Sequence, residues 1–297
     1  MSVKPVMTLA DPRATLAGFG AVLLWSSLAV LTVATAGIPP FQLLALCFGV
    51  AGLAGCALLL RPGGPGLAAL RQPLAAGALC VGALFGYHAL LFLALKRAPV
   101  VEANLLNYLW PLLIVVFAAV LGGVTVRAGQ WLGTALGLAA AVLLVTRGGR
   151  FDLDARHVVG YAAAIGAAIT WGLYSVLNRR FDAVPSSAMA GACLAVAGLG
   201  ALAHLGLEAT VTPSPGQWLA IVALGLGPTG AAFWLWDIGT KRGDIATLGA
   251  LSYAAPLLST GLLLAFGQAR PHWSQGLALV LLVAGAWLGV RSGRHGA

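Results

Sequence analysis

Asn104, Asn107, Tyr108 and Pro111 follow one another at steps of 0, 3, 4 and 7 in an otherwise apolar stretch. Residues at this spacing share one face of an α-helix. Their amide and phenol groups could hydrogen-bond the polar ends of a small solute. Pro111 also leaves the carbonyl of Asn107 without its helical donor, so that carbonyl could accept from an ammonium group. The stripe, with Trp110 beside it, predicts a binding surface for a neutral or zwitterionic molecule.

Further polar and aromatic residues lie deep in other apolar stretches, where polar groups are costly and suggest function. Tyr87 and His88 form an adjacent pair, and Trp171 lies near Thr170 and Tyr174. Rings of this kind offer stacking surface to a ring and cation-π attraction to an amine, worth about 0.5 to 2 kcal/mol per contact. The candidate binding residues are Tyr87, His88, Asn104, Tyr108, Trp110, Pro111, Trp171 and Ser252.

Structural roles compete with this interpretation. A single buried Tyr or Trp more commonly packs than binds a ligand, and His88 alone could serve a neighbouring carbonyl. His204 has no polar neighbours in its stretch and is expected to be structural. Four tryptophans near the ends of apolar stretches are typical of an aromatic belt at the membrane surface. These are Trp131, Trp218, Trp273 and Trp287.

The elements that position these residues follow from composition. The chain has 297 residues, of which 60% are apolar and 8% charged, and its mean hydropathy is +0.94. Soluble domains carry roughly 25% charged residues, and about 20 apolar residues in a helix cross a membrane. The sequence therefore predicts an all-α integral membrane protein with ten spans. Spans one to ten are expected at 14–35, 40–60, 74–94, 99–121, 128–146, 157–178, 186–206, 214–238, 244–266 and 272–290.

One phrase occurs twice. "KRAPVVEANLLNYLWPLL" at 96–113 and "KRGDIATLGALSYAAPLL" at 241–258 share Lys, Arg, Tyr and Pro-Leu-Leu at an offset of 145 residues. The chain is therefore expected to contain two five-helix repeats, 1–150 and 151–297. Because five is odd, the second repeat is inverted in the membrane. Inverted repeats are typical of secondary transporters that work by alternating access.

The basic residues mark topology rather than a nucleic-acid surface. The net charge is +9, but Lys and Arg lie singly or in pairs at span ends, so no nucleic-acid partner is expected. With both termini cytoplasmic, eleven of the 17 Lys and Arg fall inside, as the positive-inside rule requires. The other six, on the outer side, are Lys96, Arg97, Arg147, Arg150, Arg156 and Arg270.

Charged and reactive groups are missing from the span centres. Glu102 and Asp237 each lie about a turn from a span boundary, and Asp237 is expected to pair with Lys241 four residues later. A phosphate carrier would need a buried cation, and an exporter of small cationic drugs a central carboxylate. The sequence also lacks metal-ligand motifs, nucleophile clusters and a soluble head, so it predicts no enzyme, metal site or cofactor.

Three stretches carry a resemblance to a known family: "ATLAGFGAVLLWSS", "GYHALLFLALKRAPVVEANLLNYLWPLL" and "AAITWGLYSVLNRR". In these the chain resembles the drug/metabolite transporter superfamily in its ten-helix, EamA-like form. The resemblance implies export of aromatic amino acids across a bacterial inner membrane, through a basket-like cavity that opens outward. It also implies that the cavity is lined by Tyr87, His88, Tyr108, Trp110, Pro111 and Trp171.

The main hypothesis is a secondary exporter whose cargo, an aromatic or bulky apolar amino acid, stacks among these rings. Asn104, His88 and the freed carbonyls would meet its charged ends, and the proline-containing spans four and nine would rock. The expected partners are this small molecule and membrane lipid. The alternative keeps the scaffold and changes the cargo to hydrophobic drugs or another small metabolite.

Overall fold

The computed structural model describes residues 10–149 and 153–294. Both chain termini, predicted to be cytoplasmic, and the predicted repeat boundary at 150/151 lie outside these residues. Within them the chain is helical, with no β-strand. Nine helical segments are long and apolar enough to cross a membrane, and a tenth apolar helix, Trp273–Gly289, is shorter. The predicted ten-helix membrane architecture is confirmed.

Six of the ten spans contain one continuous α-helix and four are interrupted. The continuous helices are Pro40–Leu60, Leu74–Arg97, Ala128–Thr146, Val158–Leu177, Met189–Leu207 and Trp273–Arg294, which are spans two, three, five, six, seven and ten. Span one comprises Pro12–Trp25 and Leu28–Val33, span four comprises Val100–Asn107 and Trp110–Val120, and span nine comprises Ile245–Leu251 and Ala254–Ala265. Span eight comprises Pro215–Leu224, the π-helical Gly225–Ala231 and Ala232–Arg242.

The interruptions have identifiable sequence causes. Spans four and nine break just before Pro111 and Pro256, which cannot donate to the carbonyl four residues earlier. Span eight widens to a π-helix around Pro228. Span one breaks after Trp25 without a proline. The breaks leave irregular backbone at membrane depth, which is tolerated where it is buried in protein or lines a cavity.

The most extensive contacts between spans survive exchange of the two halves, and some smaller ones do not. Span one packs on span eight, and its equivalent, span six, packs on span three. Spans two and seven pack on each other, as do spans five and ten, and the first helix of span nine packs on the second of span four. The core therefore lies between the halves as well as within them.

Small residues allow spans five and ten to approach closely. A Cβ built on Gly133 would lie 2.5 Å from the carbonyl oxygen of Gly285, and one built on Gly285 would lie 2.7 Å from that of Gly133. Gly137 lies directly against the ring of Tyr253 in span nine. Such contacts are typical of small residues at helix–helix interfaces in membranes.

A polar cluster holds the start of span two against the end of span seven. The Glu208 carboxylate accepts from the backbone N–H groups of Phe41 and Gln42, each at 3.1 Å. His204 lies 3.0 Å from the same carboxylate and 2.9 Å from the Thr210 hydroxyl. Since a helix start leaves N–H groups unsatisfied, the carboxylate caps span two. His204 is thus structural, as predicted.

Gly133→Leu tests the contact between spans five and ten. The added side chain meets the Gly285 carbonyl, so we expect the free energy of unfolding to fall by about 1–3 kcal/mol, the usual cost of overpacking. The measurement is thermal unfolding in detergent. Gly276→Leu on span ten is the matched control, because a Cβ there has nothing within 4 Å. Equal melting temperatures of the two variants would contradict the close approach.

Candidate functional site

Aromatic rings from four spans meet at the centre of the molecule. Trp171 of span six lies with its ring centroid 5.5 Å from that of Trp25 in span one. Trp25 also contacts Trp110 of span four, at 6.3 Å, and Trp236 of span eight, at 5.1 Å. Most of these rings meet edge to face or tilted, as aromatic pairs prefer. We call Trp25, Trp110, Trp171, Phe233 and Trp236 the ring cluster.

Tyr87 and His88 on span three border the ring cluster. The Tyr87 ring lies 5.6 Å from Trp171, and the His88 ring lies 6.3 Å from Phe233. His88 Nδ1 lies 2.7 Å from the carbonyl oxygen of Leu84, one turn earlier, so Nδ1 carries the proton and donates. The half-buried His88 then presents Nε2, a hydrogen-bond acceptor, with no partner among the described residues.

The polar stripe of span four faces span three. Asn107 is buried, and its Nδ2 donates to the Tyr87 hydroxyl at 3.2 Å. Its Oδ1 is buried without a hydrogen-bond partner among the described residues. Asn104, one turn before Asn107, and Tyr108, the residue after it, are half-buried. Amide and phenol groups of span four thus lie at the edge of the ring cluster, where a solute could exchange hydrogen bonds with them.

The predicted site residues do not all reach a common surface. Tyr87, His88, Asn104 and Tyr108 keep partial exposure, while Trp110, Pro111 and Trp171 are buried beneath them. Ser252 is 1% exposed, and its hydroxyl donates to the Leu248 carbonyl of its own helix at 2.7 Å. In this conformation Ser252 presents no surface to a ligand.

Sequence reasoning missed the contribution of spans two and eight. Phe233 and Trp236 complete the ring cluster, and Phe48 of span two stacks on Phe233 at 5.6 Å. Trp236 is fully buried and donates from Nε1 to the Ser175 hydroxyl at 3.1 Å. Phe233 and Trp236 lie three residues apart in span eight, and aromatic residues in an apolar span gave no signal that would have identified them.

Trp25 connects two interrupted spans. Its Nε1 donates to the carbonyl oxygen of Pro228, 203 residues later in the chain, at 3.0 Å. Trp25 is the last helical residue before the break in span one, and Pro228 lies within the π-helix of span eight. The hydrogen bond therefore holds the two irregular segments together beside the ring cluster.

A buried ion pair with no net charge adjoins the ring cluster, since Asp237 directly follows Trp236. Lys241 Nζ lies 2.9 Å from Asp237 Oδ2, and both side chains are buried. Asn178 donates to the other Asp237 oxygen at 2.8 Å, and Lys241 also donates to the carbonyl of Val184 at 2.9 Å. The predicted ion pair is present. In the described part of the chain, no group of three or more His, Cys, Asp or Glu could hold a metal.

Comparison with known proteins agrees with this architecture. A model of the EamA-like transporter family matches the chain twice, at residues 12–146 and 158–291. The aromatic amino acid exporter YddG of Ancylobacter novellus is 50% identical over 274 residues, which are 92% of this chain and 95% of that protein. The exporter of the same name from Escherichia coli is 25% identical over 300 residues, 95% of this chain and 99% of that one. A solved crystal structure superposes with a TM-score of 0.91 at 48% identity, covering 96% of this chain and 99% of the other.

Lys241→Met tests the buried ion pair. It leaves the Asp237 carboxylate buried without its counter-charge, so we expect a loss of about 3–5 kcal/mol in the free energy of unfolding. The double variant Asp237→Asn with Lys241→Met removes both charges and should recover most of that loss. Thermal unfolding in detergent measures both. A double variant as unstable as the single one would show that the pairing of charges is not what matters.

Proposed function

This chain belongs to the EamA-like transporter family, and from that premise we propose that it exports aromatic or bulky apolar amino acids by alternating access. The chain is a multi-pass membrane protein and a transporter, not an enzyme, as the sequence predicted. The observation that carries the proposed cargo is the ring cluster, which gathers five aromatic side chains around a centre with no net charge.

Two further facts support an aromatic amino acid as cargo. A relative that is 50% identical over most of the chain is named an aromatic amino acid exporter. The polar groups beside the rings suit a zwitterion. His88 Nε2 and the Asn104 amide are open to hydrogen bonding. An ammonium group can donate to His88 Nε2 and to amide oxygens, and a carboxylate can accept from the Asn104 amide nitrogen.

The proposed cargo position follows from these contacts. The half-buried Tyr87 and Tyr108 form the accessible surface, and Trp171 lies directly behind Tyr87. A ring laid against Tyr87 would extend the aromatic packing, while its amino acid moiety points to Asn104 and His88. Trp110, Pro111 and Ser252 would act from the second layer, since all three are buried.

Alternating access rests on two inverted repeats, 1–150 and 151–297. Three observations support them. The family model matches once in each half. The packing of span one on span eight is repeated by span six on span three. The first helices of spans four and nine begin at Val100 and Ile245, which are 145 residues apart, like the repeated phrase. The breaks in spans four and nine would let the two helices of each span tilt relative to each other.

The proposed location is the bacterial inner membrane, with both termini in the cytoplasm. The support is the distribution of Lys and Arg, of which eleven fall on the cytoplasmic side in this orientation. In this orientation Lys241 and Arg242 lie at the inner end of the molecule and Lys96 and Arg97 at the outer end.

A second cargo class has one structural argument. A groove of about 460 Å³ lies between spans two, seven and eight, away from the ring cluster. Its walls are mostly Ala, Gly and Leu, with Arg61, Ser186 and Ser187 among the few polar residues. Such a volume accommodates a drug-sized apolar molecule. Export of hydrophobic drugs would then use this groove and would be insensitive to phenylalanine.

Trp171→Ala tests the aromatic cargo. We expect influx and efflux of labelled phenylalanine and tryptophan in proteoliposomes to fall about tenfold, since one ring contact is worth about 0.5–1.5 kcal/mol. Trp171→Phe retains a ring and should keep most of the flux, which separates loss of stacking from loss of folding. Trp131→Ala, at the exposed start of span five, is the control and should transport like the parent. Undiminished flux in Trp171→Ala refutes the site assignment.

Reporter fusions test the inversion of the repeats. We expect alkaline phosphatase to be active when fused after Arg97 and inactive when fused after Arg242. Green fluorescent protein should give the reverse pattern, because it fluoresces when fused on the cytoplasmic side. The same pattern at both positions would exclude two oppositely oriented repeats.

A further inference from the structure

Gln130 and Gln275 occupy equivalent places in the two halves, 145 residues apart. Each stands at the start of a span, in helices that begin at Ala128 and Trp273. Each uses its side-chain oxygen in the same way. Gln130 Oε1 accepts from the backbone N–H of Arg127 at 3.0 Å, and Gln275 Oε1 accepts from that of His272 at 3.0 Å. The two glutamines are therefore structurally as well as sequentially equivalent.

The amide nitrogens of the two glutamines have different hydrogen-bond partners. Gln130 Nε2 reaches across to span nine and donates to Asp244 Oδ2 and Thr247 Oγ1, both at 3.3 Å. Gln130 is 4% exposed, and the first helix of span nine packs on span five. This contact joins spans five and nine at the end of the molecule near Lys241.

The equivalent contact at the other end is absent. Gln275 Nε2 turns to the carbonyl of Arg270 in its own loop, at 3.4 Å, and Gln275 is half-exposed. The first helix of span four and span ten, the equivalent helix pair, do not pack together in the described residues as span nine and span five do. The residue that matches Thr247 at the offset of 145 is Glu102, whose Oε2 is buried without a hydrogen-bond partner among the described residues.

We propose that Glu102 and Gln275 form a hydrogen bond that closes the end of the molecule near Lys96. We call this bond and the Gln130 bond the two gate contacts; one forms when the other breaks. This inference rests on the proposed alternating access of inverted repeats. Gln275 Nε2 would leave the Arg270 carbonyl and donate to the Glu102 carboxylate, as Gln130 donates to Thr247 now. If the two halves exchange conformations, Gln275 and Glu102 take the places that Gln130 and Thr247 have in this structure. The pairing would then give the buried Glu102 oxygen a hydrogen-bond donor.

The chemistry of the two gate contacts is not identical. Thr247 and Asp244 both accept from Gln130, whereas the positions equivalent to them hold Glu102 and Pro99. Proline has no side-chain acceptor, so Glu102 has to serve alone. The contact at Glu102 therefore has one carboxylate acceptor, as Asp244 is for Gln130, and it lacks the additional hydroxyl acceptor. Glu102 and Gln275 act on the opening and closing of the site and do not contact the cargo.

Cysteine cross-linking tests the proposal without any assumption about cargo. The reference pair is Gln130→Cys with Thr247→Cys, which touch in this structure and should cross-link readily in purified full-length protein. The test pair is Glu102→Cys with Gln275→Cys, scored by mass spectrometry of the joined peptides with a short bifunctional thiol reagent. Each single-cysteine variant reports any cross-link to the native cysteines.

Gln130→Glu, added to the test pair, shifts the equilibrium between the two conformations toward the one in which the end near Lys96 is closed. A glutamate keeps the oxygen that accepts from the Arg127 N–H, but it places a second carboxylate beside Asp244. We expect this repulsion to raise the cross-linking yield of the test pair about fivefold or more, within the usual range of coupling between sites. A test pair that stays unlinked with Gln130→Glu, while the reference pair links, overturns the proposal.

Exchanging the side chains of Glu102 and Gln275 provides an independent test, in which the transport rate in proteoliposomes is measured. Gln275→Glu faces Glu102 with a like charge, so transport should fall about tenfold through a shifted equilibrium. Adding Glu102→Gln restores an amide and a carboxylate in reversed places and should recover most of the flux. A double variant no better than Gln275→Glu contradicts a direct pair. If the test pair cross-links as expected but no aromatic amino acid is transported, the gate stands and the proposed cargo is wrong.

Discussion

Hydrocarbon offers no hydrogen-bond partner, and this constraint decides what each polar side chain in the spans can do. Serine and threonine hydroxyls satisfy it locally by donating to the carbonyl one turn earlier. Ser26 does so to Val22 at 2.9 Å, and Thr134 to Gln130 at 2.7 Å. Groups that satisfy the constraint within their own helix are not available to a ligand. His88 Nε2 and the Asn104 amide are left open among the described residues, and the His88 ring lies beside Phe233 of the ring cluster.

The same constraint explains where the helices break. An interrupted helix exposes backbone carbonyls, so the interruption has to find donors or lie next to a cavity. The carbonyl of Pro228 in the π-helix accepts from the Trp25 indole, next to the break in span one. Residues 108–109 of span four adjoin Tyr87, which bonds Asn107. Irregular backbone is thus concentrated at the centre, where a cargo could replace the missing partners and where the helices are easiest to bend.

The ten spans were predictable because length and hydropathy are properties of a single segment. Each predicted boundary lies within a few residues of the observed one, apart from extensions such as span eight, which reaches Arg242. The candidate site was less predictable. Phe233 and Trp236 do not contrast with an apolar span, so nothing in their own neighbourhood marks them. Conversely Ser252, polar and equivalent in sequence to Asn107, looked like a ligand contact. Its burial follows from the packing of span nine, which no single segment encodes.

In the proposed inverted repeats the two ends of the molecule are equivalent in topology but differ in chemistry. Lys96 matches Lys241, but the place of Asp237 is taken by Phe92, so the described residues contain no counterpart of the Lys241–Asp237 pair at Lys96. A buried pair gains little net free energy, because desolvation of the charges consumes most of their attraction. Under the proposed alternating access, opening of that end would let water hydrate both charges and would return the desolvation cost. The pair therefore specifies how the closed end fits together without making it hard to open. A transporter requires this property, since a cargo shifts the balance only by its difference in affinity for the two states.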